Sequence, residues 1–321
     1  MIFPKAILAL VLTLPIGTAY SVRIAEEGSP PVQINTDRSD LLSRAQSFCL
    51  SEKWSEAAEL ARQYLKVQPG SADGHALLAY ILFKQKKPKD SMGEYVETAR
   101  LRDLTASELK TFGLSCAQLQ MYSDAEKWLG RSIEMDPADP KAWEARGHLR
   151  VEQQHYEDAI SDFEQSLKLA PKTVSAETGI GLSYEFLTRL DKAILAYKAA
   201  ISWQTAGSGE DPAPLHALGR VLMKLNKAEE ALPYLQRAVE RGPDVPQAHE
   251  ELARAYVSLG QYTAAQRELE KAILLAPKVA RFHFTLGQLY RKTGMLDKAK
   301  AELALYDKLV GTHSTPDVDP R

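Results

Sequence analysis

The chain has 321 residues, an apolar fraction of 45%, a charged fraction of 26% and a formal net charge of −2. That mix excludes a disordered chain, which is poor in apolar residues and strongly charged. It also argues against a nucleic-acid binder, which carries a clear basic excess, while the length allows two ordinary domains or one long array.

The first element in chain order is MIFPKAILALVLTLPIGTAYS. One early Lys5, an apolar stretch over residues 6–16 broken by Pro15, and small Gly17 and Ala19 give the layout of a secretory signal peptide cleaved after Ala19. The apolar stretch is too short to cross a hydrocarbon core comfortably, since a spanning helix needs about 20 residues. An uncleaved anchor is the alternative reading. The expectation is therefore a leader over 1–19, a linker over 20–37, and an exported, periplasmic or secreted mature protein without a membrane span.

From residue 38 onward the chain falls into eight rows of 34 residues, beginning at Arg38, Ala72, Ala106, Pro140, Val174, Pro212, Pro246 and Ala280. Residues 38–207 hold five rows and 212–313 hold three; only 208–211 break the register. The Gly- and Ser-bearing stretch 204–212 reads as a tolerated insertion, or else as a hinge between blocks 38–203 and 212–310. The eighth position of the rows reads Ala45, Ala79, Gly113, Gly147, Gly181, Gly219, Ala253 and Gly287. The twentieth reads Ala57, Ser91, Ala125, Ala159, Ala193, Ala231, Ala265 and Ala299.

Apolar residues recur in each row at helical spacing, as in Leu252 and Tyr256, then Leu269, Ala272 and Ile273. Each row thus predicts two amphipathic helices of about a dozen residues joined by a short turn. Small residues at the eighth position facing Ala at the twentieth would let the paired axes approach closely. Pro69, Pro137, Pro171, Pro243 and Pro277, at the thirty-second position, can stop the second helix. One such hairpin cannot bury its own apolar faces, so the rows must stack into an all-α array. The tail 314–321 reads as disordered.

The fourth row carries Trp143, Gly147, Tyr156, Ala159, Phe163 and Pro171, and the eighth carries Leu286, Gly287, Tyr290 and Ala299. In this the rows resemble the tetratricopeptide repeat, a helix-turn-helix unit of the same length. The resemblance implies a right-handed α-solenoid, a superhelix of about eight repeats, that binds proteins and is not an enzyme. The second row departs furthest, with Pro88, Ser91 and Asp103 at three signature positions.

On that frame Cys49 and Cys116 fall on the first helices of rows one and three, too far apart for a bridge, and should be free thiols. His75, His249 and His283 share the fourth position with Trp143 and read as packing residues. No ligand spacing for a metal, no phosphate-cradling loop and no nucleophile turn is present, so no catalytic residue, metal or cofactor is expected. Arg146 and Arg150 take positions that are apolar in most rows, and Glu177 takes a position usually aromatic. These three suggest a polar seam between rows four and five, read either as a structural ion pair or as part of a binding site.

The resemblance also implies which positions face the inner groove: the second, fifth, ninth, twelfth and thirteenth of each row. The early rows place Leu42, Tyr80, Phe83 and Leu114 there, and the middle rows His148, Leu182 and Glu185. The later rows place His216, Arg220, Lys224, Arg254, Arg281, Arg291 and Lys292, with Glu250 as the main counterweight. No Asn holds a groove position, so the family's carboxylate-clamp pattern is not met. The expected function is a protein–protein interaction scaffold of the cell envelope that grips a protein segment, the basic end suiting carboxylates. The alternative is a self-assembling component that dimerises through Tyr306, Leu309 and Val310 on its last helix.

Overall fold

The computed structural model describes residues 36–204 and 209–313. The expected leader, most of the linker, Ser208 of the insertion and the tail lie outside the described residues. Among the described residues there are sixteen α-helices and no strands. They group into two compact units, one running up to Leu169 and the other from Ala170 onward.

The first unit holds α1 (Thr36–Leu50), α2 (Trp54–Val67), α3 (Ala72–Lys84), α4 (Pro88–Leu101), α5 (Ala106–Gln118), α6 (Tyr122–Met135), α7 (Pro140–Glu152) and α8 (Tyr156–Leu169). The second holds α9 (Val174–Phe186), α10 (Leu190–Ser202), α11 (Pro212–Lys224), α12 (Ala228–Arg241), α13 (Pro246–Ser258), α14 (Tyr262–Leu275), α15 (Ala280–Lys292) and α16 (Leu296–His313). From the second row onward, each first helix begins at the residue that opens its row. Within a unit every helix packs on its chain neighbours, and first helices of adjoining rows also touch, as α9 with α11 and α11 with α13.

The turn inside each row is the same object eight times. Its fifteenth residue has positive φ: Glu52, Lys86, Gln120, Gln154, Thr188, Asn226, Gly260 and Gly294. The following N–H donates to a carbonyl five residues back, as Lys87 to Leu82 and Gln261 to Tyr256. That is the bond that closes a helix through a left-handed residue. Glycine suits this conformation best, yet only two rows supply it.

The structure adds a second neighbour to the small residues. In the five rows with glycine at the eighth position, that position seats the large side chain of the twenty-fourth. A Cβ added to Gly147 would lie 2.8 Å from the Phe163 ring, and one on Gly113 or Gly287 would meet Leu129 or Leu303 at 2.8 and 2.9 Å. The glycines make room for one large side chain from the partner helix and bring its backbone near as well, for a Cβ on Gly113 would lie 3.1 Å from the Leu129 nitrogen and one on Gly287 3.5 Å from the Ala299 oxygen. The alanines at the twentieth position are separately buried, Ala159, Ala193, Ala231 and Ala265 all at 0% exposure.

The histidines do more than pack. His75 Nδ1 lies 2.6 Å from Glu94 Oε2, and its Nε2 lies 2.9 Å from the Pro69 carbonyl. His249 repeats this with Glu268 and Pro243, and His283 with Glu302 and Pro277. Trp143 fills the same slot with one bond, Nε1–H donating to the Pro137 carbonyl at 2.9 Å. Each ring ties the incoming loop, the first helix and, for histidine, the second helix together. The proline that stops one helix thus leaves a carbonyl for the next row to claim.

At His75 both partners are acceptors, so the ring is best satisfied with both N–H groups present. Burial works to lower its pKa, but the Glu94 carboxylate and the Pro69 carbonyl outweigh that and raise it above 6.5. A raised folded-state value means stability that is complete below about pH 6.5 and lost as pH climbs through the folded pKa. NMR titration of His75 should accordingly give a midpoint above 6.5, and His75→Phe should flatten the decline in melting temperature above that pH. A midpoint below 6.5 would contradict the brace.

Both cysteines are free, Cys116 buried and Cys49 half-buried, and burial pushes both thiols up to about 11. The insertion does not separate blocks of helices, because α10 and α11 pack together across it within the second unit. Its described end is anchored: Glu210 is buried and paired with Arg237 and Arg241 of α12, and the Asp211 N–H donates to Gln204. On α16, Tyr306 packs on Phe284 at 5.2 Å, while Leu305 and Val310 are exposed. No helix among the described residues is long and apolar enough to cross a membrane.

Candidate functional site

The groove positions named from the sequence fall into three groups once their surroundings are seen. In the first unit, Tyr80 meets Trp54 edge-on at 6.1 Å and lies beneath Lys84, and His148 meets Phe163 edge-on at 4.9 Å. Phe83 and Leu114 are half-buried on α3 and α5. A cavity of 390 Å³ in this unit is lined by Arg44, Phe48, Ser55, Glu56, Glu59 and Leu60 and includes none of them.

The second group is a set of buried charges that the protein has already neutralised. Glu185 on α9 accepts from Arg220 Nη2 at 2.8 Å, Lys224 Nζ at 2.6 Å and the Tyr197 hydroxyl at 3.1 Å. Burial opposes its ionisation, but the two cations prevail and hold its carboxyl below the ordinary value. Beside it, burial together with Arg220 pushes the His216 imidazole down to about 4, which leaves it neutral. Arg281 is paired to the buried Glu250 at 2.5 Å, and the Thr285 hydroxyl donates to the same carboxylate. Burial nevertheless keeps the Glu250 carboxyl above its ordinary value. Four groove residues named from the sequence, His216, Arg220, Lys224 and Arg281, therefore sit in or beside internal ion pairs.

Arg146 and Arg150 belong here too, with a partner that the sequence had not singled out. Arg146 is bidentate on Asp162, Nε to Oδ2 at 2.9 Å and Nη2 to Oδ1 at 2.8 Å. Arg150 reaches the same carboxylate at 2.9 Å and Glu126 at 2.9 Å. Asp162 is on the second helix of the arginines' own row and is almost fully buried. Glu177 belongs to the second unit and is half-buried. The carboxylate that these guanidinium groups require is thus found within their own unit.

The third group forms a site. A cavity of 610 Å³ opens in the second unit between the first helices of rows six to eight. Met223 and Asn226 come from the end of α11 and its turn, and Arg254, Val257 and Ser258 from α13. Thr285, Gln288, Leu289, Arg291 and Lys292 come from α15. Met223, Arg254, Val257, Ser258, Gln288, Arg291 and Lys292 hold the ninth, twelfth or thirteenth position of their rows. Arg254, Arg291 and Lys292 are the three sequence-derived groove residues that the structure brings together.

Three cations and no carboxylate line this cavity. Arg254 is more than half exposed and, among the carboxylates of the described residues, pairs only with Glu251 of its own helix, at 3.2 Å. Lys292 rests over the Tyr262 ring at 5.2 Å. Such an arrangement can hold an anionic group against a partly apolar floor of Met223 and Val257; it offers no nucleophile paired with a base. The uncharged lining residues were missed from the sequence because the groove positions of the later rows were read for their charges and rings. Applying the ninth, twelfth and thirteenth positions to every row would have found most of them.

The sequence matches a family model described as tetratricopeptide repeat over residues 42–106, 144–211, 216–265 and 250–315, well over half of the chain. Among solved structures, a tetratricopeptide repeat protein from Parabacteroides merdae is 16% identical with a TM-score of 0.62, covering 79% of this chain and 99% of that one. The Cut9–Hcn1 hetero-tetramer of APC/C gives 19% identity and a TM-score of 0.61 over 86% of this chain, which spans 54% of that one. Pseudomonas aeruginosa pilF gives 20% identity and a TM-score of 0.55, covering 68% of this chain and 97% of that one. These likenesses establish the fold. Comparison with curated protein sequences gives no match.

Proposed function

The chain belongs to the tetratricopeptide repeat family, and from that premise we propose that it is a non-enzymatic protein–protein interaction scaffold of the cell envelope. It grips a protein segment on the face made by α11, α13 and α15. The observation that carries this reading is the coincidence of the 610 Å³ cavity with the ninth, twelfth and thirteenth positions of three consecutive rows. Side chains from those positions of α11, α13 and α15 line one cavity, which suits an extended or helical segment. The envelope assignment rests on the leader pattern of Lys5, residues 6–16 and Ala19.

Filling the cavity tests the proposal. Ser258 is exposed and lines it, so Ser258→Trp should obstruct the site without disturbing the core. Peptides selected on the purified chain from a random displayed library should lose about tenfold or more in affinity on this variant, while its melting temperature stays that of the parent. Equal binding by both proteins would place the site elsewhere.

A further inference from the structure

The cations on the first helices of the second unit are not equivalent. Arg220 and Lys224 are both committed to Glu185, and Arg281 to Glu250, each carboxylate almost wholly buried. A ligand would have to strip a buried carboxylate of its partner to use them, which is costly. Arg254, Arg291 and Lys292 stand apart. All three are exposed, all three line one cavity, and among the described residues Arg291 has no carboxylate within ion-pair distance. Nothing acidic lines the cavity to answer them.

We propose, resting on the groove-binding reading above, that this cavity selects an acidic protein segment. Its carboxylates meet Arg254, Arg291 and Lys292, and an aliphatic side chain lies between them on Met223 and Val257. The arginines can take carboxylates as charge-assisted, bidentate pairs, and Lys292 acts as a point charge. Asn226 and Gln288 add neutral hydrogen-bonding groups to the lining. A nucleic-acid strand fits less well, because strand-binding grooves stack bases on aromatic rings and no aromatic residue lines this cavity. Glu251 on Arg254 is a weak internal competitor, held at 3.2 Å from a more than half-exposed side chain, and an incoming carboxylate can replace it.

The test uses fluorescein-labelled dodecapeptides of repeating Asp-Glu-Leu, repeating Asn-Gln-Leu and repeating Lys-Lys-Leu, together with labelled dT12, titrated by anisotropy against the full chain. The acidic peptide should bind about tenfold or more tighter than its amide counterpart, and weaken with added salt. Arg291→Glu and Arg254→Glu should each lose about tenfold, whereas Arg100→Glu, an exposed charge in the first unit, should lose nothing. Circular dichroism of each variant keeps misfolding separate from lost contacts.

Amide or basic peptides that bind as well as the acidic one, and are excluded by Ser258→Trp, would leave the groove reading standing and overturn this inference. Tighter binding of dT12 would overturn it in favour of a nucleic-acid strand. Acidic-peptide binding unchanged by Arg254→Glu and Arg291→Glu would overturn it outright.

Discussion

Gly181→Leu and Gly219→Leu should abolish cooperative unfolding of the second unit. A Cβ alone at Gly181 would lie 2.5 Å from the Tyr197 ring, and one at Gly219 would lie 2.5 Å from Leu235. Neither neighbour can swing aside, since both are fully buried. Adding methylenes to a filled core costs about 1–3 kcal/mol and more when the backbone must move, against a total domain stability of about 5–15 kcal/mol. The damage spreads, because stacked repeats are stabilised by their neighbours. At Gly181 it also reaches the charge cluster, for the Tyr197 hydroxyl that would be displaced donates to Glu185. Thermal denaturation followed by helical circular dichroism should show a broad, early loss of signal; a sharp transition at the parent midpoint would contradict the packing.

The second large effect belongs to Asp162. Its carboxylate serves two guanidinium groups at once with 3% of its side chain exposed. Asp162→Ala should cost about 3 kcal/mol, because Arg146, only 17% exposed beside the Trp143 ring, is left without its bidentate partner. Burial works against the charge on Arg146, and only Asp162 and the acids near it hold the guanidinium pKa above its ordinary value. Glu126→Ala is the matched control: Glu126 is about a third exposed, and Arg150 keeps Asp162 without it. Its cost should stay below about 1 kcal/mol. Urea unfolding of the two variants decides the matter, and equal losses would contradict the assignment.

The all-α repeat architecture was legible in the sequence because it rests on columns. Gly or Ala at the eighth position and Ala or Ser at the twentieth recur in every row, and the helices begin where the rows begin. What those columns touch was not legible. Small residues announce close approach but not every neighbour, and Phe163, Tyr197 and Leu235, four residues beyond the twentieth position, are the nearest ones. The left-handed turn residue could be read only at Gly260, Gly294 and Asn226; Lys86 or Thr188 carries no such signal. Likewise Pro69 and His75 are a visible pair at fixed spacing, but the Glu94 that completes the brace sits nineteen residues further on.

The site was half legible. Family positions picked out Arg254, Arg291 and Lys292, which line one cavity. They could not separate these from Arg220 and Arg281, because pairing depends on where Glu185 and Glu250 fall across adjoining helices. Charge along the sequence gave the sign of that face; only the three-dimensional partners show which charges remain available.

The claim beneath all of this is that one packing rule, a small eighth position receiving the twenty-fourth, aligns the first helices that line the cavity. Its most direct measurement is the smallest substitution at four glycines, read by urea unfolding. Gly181→Ala and Gly219→Ala should destabilise by about 1–3 kcal/mol. Gly93→Ala and Gly130→Ala, in helices whose added Cβ would meet nothing within 4 Å, should stabilise by about 0.5–1 kcal/mol. Opposite signs for the two pairs are the predicted result, and a common sign for all four would contradict it.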